Sequence, residues 1–217
     1  MVAVYADASC LGNGQDRDTP GGAGGLVEYQ HPQSGAIARR DFWISDPATT
    51  NNRMALRSVI EAFHGLSAKG TALNVVFTSD SKYLIDGFRD WVHGWAARGW
   101  TRKGGAIENL ALWREAITVI RAGRHQCDWR WVRGHDGHPQ NEYANHLATR
   151  AAASQTASDG LVPSQFDAWI AARPTRSGRP ALRAADAFPA AGSFKPGRTL
   201  PEATRTLPAS AAGRRDN

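Results

Sequence analysis

Two short apolar runs that each deliver an aspartate constrain this chain more than any other feature. Residues 2–6 (VAVYA) lead into Asp7, and residues 73–78 (LNVVFT) lead towards Asp80. Apolar runs of five or six residues, rich in β-branched and aromatic side chains, read as buried strands. Each acid therefore stands where a strand leaves its sheet. Neighbouring strands would bring both carboxylates to one edge of that sheet. Two carboxylates at strand ends, with no apolar shielding, suit Mg²⁺, which prefers oxygen ligands and keeps several waters.

The rest of the pattern places these strands in an α/β fold. Residues 8–22 are rich in Gly, Asn, Asp and Pro and read as a loop. Residues 24–30 and 36–45 read as strands joined by the turn HPQSG. Thr49 or Thr50 is placed to cap a helix over 51–68, with Met54, Leu56, Val59, Ile60 and Phe63 at helical spacing. Residues 81–97 read as helical, 98–106 as a basic loop and 107–121 as an amphipathic helix. A strand follows at 127–132, then a His/Gly loop at 133–141 and a helix over about 140–153. The order β-β-β-α-β-α-α-β-α predicts a mixed five-stranded sheet flanked by helices.

Three segments carry the chemistry. The first is Asp7 followed by ASCLGN. The second pairs TTNNRM, ending at Met54, with the strand end that holds Asp80 (TSDS). The third is GHDGHPQNE, which contains His135 and His138 and ends at Glu142. Together they closely resemble the bacterial type 1 ribonuclease H family over residues 2–153. That resemblance implies a ribonuclease H-like fold that binds RNA–DNA hybrids and cuts the RNA strand with two Mg²⁺ ions. It places Asp7 and Asp80 on the metals and makes His135 the mobile-loop histidine that moves protons or releases product. Cys10, Asn13, Asn51 and Asn52 match hybrid-contacting positions, where minor-groove edges and 2′-hydroxyls are read. Trp91 and Trp95 match an aromatic groove along the DNA strand, and Arg98, Arg102 and Lys103 stand beside it as phosphate contacts. Tryptophans at 91, 95 and 100 are also spaced for a core-facing helix surface, so packing remains the alternative. Zinc is not expected at His135 and His138, because no Cys or His partner stands at ligand spacing.

The departures from the family pattern decide what activity to expect. The family has a glutamate after Met54, where this chain has Ala55. It has an aspartate three residues after the glutamate of the NE pair, where this chain has Asn145. The cluster thus keeps two of four carboxylates, and Asn145 is left as a weak, neutral ligand. Ala8 replaces a usual glycine, and Lys82 and Asp86 stand where glutamine-type contacts are common. The expectation is a hybrid-binding ribonuclease H relative with strongly impaired cleavage. The alternatives are a catalytically dead hybrid-binding protein and a deliberately inactivated variant.

Charge separates the chain into two parts. It carries 26 Lys and Arg against 20 Asp and Glu, a formal net charge of +6. All of that excess falls in residues 171–217, which hold nine basic and three acidic residues, leaving 1–170 neutral. Periodicity fades beyond about 155, where Ala, Pro, Arg, Ser and Thr dominate. Residues 1–155 are therefore expected to form the domain and 156–217 a disordered basic tail. With no long apolar stretch, no signal-like start and two cysteines in no metal or disulfide pattern, a cytoplasmic monomer without a membrane partner is expected.

Overall fold

The computed structural model describes residues 1–12, 19–172 and 185–203. The elements run β1 (Val2–Cys10), β2 (Thr19–Gln30), β3 (Ile37–Thr49), α1 (Asn51–Ser67), β4 (Asn74–Ser79), α2 (Lys82–Asp86), a π-helical turn (Gly87–Trp91) and α3 (Val92–Ala97). They continue with α4 (Leu110–Ala122), β5 (Gln126–Trp131), α5 (Pro139–Ser154), β6 (Val162–Pro163) and α6 (Phe166–Ala172). The strands form one mixed sheet in the order β5-β4-β1-β2-β3-β6. β1 pairs antiparallel with β2 and parallel with β4, which pairs parallel with β5.

Alternation along β1 divides the core between the two faces of the sheet. Val2, Val4 and Ala6 pack with Leu56, Val59 and Phe63 of α1 and with Trp113, Ile117 and Ile120 of α4. Ala3 and Tyr5 pack instead with Tyr143 and Leu147 of α5 and with Phe166. Thr50 caps α1, its side chain accepting from the Arg53 N–H.

Residues 8–10 and 19–22, at the two ends of the Gly-rich segment expected to be a loop, are strand, since β1 runs to Cys10 and β2 begins at Thr19. The reason lies in α5. A Cβ on Gly22 would stand 2.3 Å from the Ala148 carbonyl oxygen, and one on Gly24 would stand 2.5 Å from Leu147 Cβ. Glycine here lets a helix backbone rest directly on a strand.

The sheet has six strands rather than the expected five, and the disordered tail expected from 156 onward is not what residues 156–172 and 185–203 form. β6 pairs with β3 at Arg40 and Asp41. Asp41 accepts from the Tyr143 hydroxyl at 2.6 Å and from the Gln165 N–H at 3.0 Å, tying α6 to the domain. Leu161 lies over Gly65 of α1, and Phe166 is fully buried. Further on, the Gly197 N–H donates to the Cys127 carbonyl at 2.8 Å and the Lys195 N–H to Asp128 Oδ2 at 3.0 Å. This segment covers β5, the edge strand, with Leu200 buried beside it. Seven of the nine basic residues counted in the C-terminal part, Arg173, Arg176, Arg179, Arg183, Arg205, Arg214 and Arg215, lie outside the described residues.

Candidate active site

Parallel pairing of β1 with β4 aligns Tyr5 with Thr78, so both strands deliver their acids at the same end. Asp7 is 8% exposed and accepts from the Ala8 N–H at 2.7 Å. Burial, then the neighbouring Asp80 carboxylate, holds the Asp7 carboxyl well above the usual carboxylate range, and Glu142 adds to the effect. The two acids share a cleft of about 210 Å³ lined by Asp7, Ala8, Asn51, Asp80, Ser81, His135 and Asn145. Four segments distant in sequence meet there: the end of β1, the start of α1, the end of β4, and the loop and helix after β5.

The support around Asp80 is specific. The Trp131 indole N–H donates to the Asp80 backbone carbonyl at 3.0 Å, and Ser81 caps α2 by accepting from the Leu84 N–H. A Cβ on Gly134 would fall 2.2 Å from Asp80 Oδ2, so any side chain here would displace that carboxylate. His135 is exposed and holds a left-handed conformation with φ of 54°.

The two positions read as replaced acids are set differently. Ala55 follows Asn51 by one helical turn and is buried among apolar neighbours, with no group to offer the cleft. Asn145 reaches the cleft from α5, but its side-chain oxygen accepts from the Thr149 hydroxyl at 3.3 Å. Among the described residues, no group of three or more His, Cys, Asp or Glu side chains stands close enough to hold a metal ion. The donor set is Asp7 and Asp80, with Asn145 as a neutral neighbour. It fits a hard divalent cation between two carboxylates.

The other expected contact residues divide. Cys10 is half-buried beside Ala23, Ile44 and Met54, and burial pushes its thiol up. Asn51 faces the cleft, Asn52 does not line it, and Asn13 lies outside the described residues. Trp91 and Trp95 line a second recess of about 270 Å³ with Tyr83, Arg102 and Glu108. Packing and surface roles are split between the two indoles: Trp95 is 9% exposed against Trp113, while Trp91 is 38% exposed. Trp100 is buried, with the Arg114 guanidinium over its ring. Arg98 and Lys103 are exposed on the same protrusion. The sequence reading missed Tyr83 and Glu108. Tyr83 stands eight residues before Trp91, two helical turns, a spacing that carried the signal.

A family model described as RNase H matches residues 1–153. Ribonuclease H of Shewanella halifaxensis (strain HAW-EB4) is 39% identical over 168 residues, 77% of this chain and 91% of that relative. A solved structure described as LC9-RNase H1, a type 1 RNase H with the type 2 active-site motif, is 57% identical. It aligns with a TM-score of 0.86 over 99% of this chain and 97% of its own. The foamy viral protease-reverse transcriptase in complex with RNA/DNA hybrid is 14% identical, with a TM-score of 0.55 over 70% of this chain and 20% of its own. That likeness shows the fold.

Proposed function

The chain belongs to the ribonuclease H family, and from that premise we propose that it binds RNA–DNA hybrids across the Asp7–Asp80 cleft and cleaves the RNA strand only weakly. The observation that carries the reading is the cleft itself, which is lined by two carboxylates and by Asn145, while Ala55 is buried one turn beyond Asn51.

Asp7 and Asp80 are the residues that would hold Mg²⁺. When bound, the cation would polarise the scissile phosphate and favour a hydroxide nucleophile. The protein's own contribution is more limited than in a four-acid site. Asp7 resists ionisation until positive charge arrives, because burial and Asp80 both oppose its negative form. Asn145 offers a neutral oxygen already engaged by Thr149. His135, exposed at the rim, is placed to exchange protons with solvent.

Binding draws on parts the substitutions leave intact. Asn51 faces the cleft, and the Trp91 recess offers an exposed ring beside Arg102. Aromatic stacking beside a cation suits a nucleic-acid strand. Two fewer carboxylates also means less repulsion of a phosphate. The relative described as a type 1 RNase H with the type 2 active-site motif supports reading an unusual acid set as natural divergence. The proposal extends to a cytoplasmic monomer, as the family resemblance implies. Among the described residues no helix is long and apolar enough to cross a membrane.

The test is a salt titration of affinity for a hybrid and for duplex DNA of the same sequence. Hybrid should bind more tightly at each ionic strength, with both affinities falling as salt rises. Equal affinities would overturn the reading.

A further inference from the structure

The loop that carries His135 leaves the sheet at Trp131 and rejoins regular structure at Pro139, the first residue of α5. Its exit is anchored from an unexpected direction. Asp186, in the C-terminal segment, meets His138 Nε2 through Oδ2 at 2.9 Å. Its backbone forms a two-way pair with Gln140: the Gln140 side-chain amide donates to the Asp186 carbonyl at 3.0 Å, and the Asp186 N–H donates to Gln140 Oε1 at 3.2 Å. His138 and Gln140 are buried, while Asp186 reaches them from the exposed side.

The chemistry of this contact is defined. His138 is the N-cap of α5, and its Nδ1 accepts from the Asn141 N–H at 3.3 Å. An accepting Nδ1 puts the ring proton on Nε2, which donates to Asp186. The same residue's carbonyl accepts from the Glu142 N–H at 2.9 Å. One imidazole thus joins the first turn of α5 to the C-terminal segment, with its ring against Tyr5 of β1 at 5.6 Å. Phe188, two residues beyond Asp186, packs on the cluster beneath α5. The anchor is thereby fixed to the sheet.

We infer that Asp186 is a positioning residue for the site: by holding His138 and Gln140 it fixes the exit of the His135 loop and the first turn of α5. It thereby sets where His135 and Asn145 stand relative to Asp7 and Asp80. The inference rests on reading the cleft as the hybrid-binding site. The loop needs such an anchor because His135 and Gly137 both hold left-handed conformations, with φ of 54° and 78°. Two such residues so close together leave a free loop many competing conformations. Asp186 lies outside the segment matched by the family model, residues 1–153, so this support is supplied by the extension beyond the family domain.

The experiment compares the full chain with Asp186→Ala and Asp186→Asn by amide hydrogen exchange and hybrid titration. Asparagine keeps an oxygen to accept from Nε2, and alanine does not. Asp186→Ala should speed exchange within residues 134–142 on the order of tenfold, leave β1 and β4 unchanged, and weaken hybrid affinity by a few-fold. Asp186→Asn should restore both. Unchanged exchange in 134–142, equal acceleration in β1 and β4, unaltered hybrid affinity, or no rescue by asparagine would each overturn the inference. If the unsubstituted chain binds no hybrid, the reading of function falls, and the exchange comparison alone decides whether the anchor holds the loop.

Discussion

Gly22→Ala tests whether the site depends on close contact between β2 and α5. The added Cβ would stand 2.3 Å from the Ala148 carbonyl oxygen, 2.5 Å from the Ala152 nitrogen and 3.0 Å from the Ala151 Cβ. Ordinary contact begins near 3.4 Å, so the strand and helix must part by about 1 Å. The first two obstacles are helix backbone and have no rotamer to move into, unlike a side chain. Overpacking of this kind costs roughly 1–3 kcal/mol. With a urea slope of about 1–3 kcal/mol per molar, the unfolding midpoint should fall by roughly 1 M. Asn145 stands one turn before Ala148 on the same helix, so hybrid affinity should weaken as well. Gly192→Ala is the control, because its Cβ would meet nothing within 4 Å. A Gly22→Ala midpoint within about 0.2 M of the unsubstituted chain would refute the close packing of α5 on β2.

Asp7→Asn should raise stability at neutral pH in the absence of divalent metal. The folded state holds the Asp7 carboxyl above its unfolded value, mainly through burial and then Asp80. The native state therefore binds more protons in that window, stability falls as pH rises through it, and the full cost is present above it. The advantage of asparagine should vanish below about pH 4, and added Mg²⁺ should stabilise the unsubstituted chain only; thermal melts across pH would show both. A chain ending at 155 loses buried Phe166 and Leu200. It should be less stable by roughly 3 kcal/mol or more in urea unfolding. A chain ending at 203 should match the full chain in urea but bind hybrid with a shallower salt dependence, since it lacks Arg205, Arg214 and Arg215. An unchanged slope would remove those arginines from the interface.

The convergence of Asp7 and Asp80 was legible in the sequence because each follows an apolar run with a strand's length and composition. The cap at Thr50 and the apolar spacing of α1 were equally local signals. The strand character of Gly21 and Gly22 was not legible. A glycine run reads as a loop until the helix that rests on it is known, and that helix lies more than a hundred residues later. The packing of residues 156–172 was hidden for a similar reason. A two-residue strand has no periodicity, and its hold depends on Asp41, Tyr143 and Phe166 meeting in space. Asp186 is one of three acids in a basic stretch, and nothing local marks it as the partner of His138. Glu142 precedes Asn145 by three residues, one helical turn, and its charge reaches Asp7.

We propose that the absence of two acids, and no other defect, limits cleavage by this chain. The decisive assay is cleavage of a uniformly labelled RNA–DNA hybrid in Mg²⁺ and Mn²⁺, comparing the unsubstituted chain with an Ala55→Glu/Asn145→Asp version. A poorly held metal forfeits several kcal/mol of transition-state stabilisation, and each 1.36 kcal/mol is about tenfold in rate. The unsubstituted chain should therefore be slower by several orders of magnitude at saturating hybrid, with the two affinities within a few-fold. Equal cleavage rates in low-millimolar Mg²⁺ would contradict the account and make Asp136 and Glu142 the first residues to test as replacement acids.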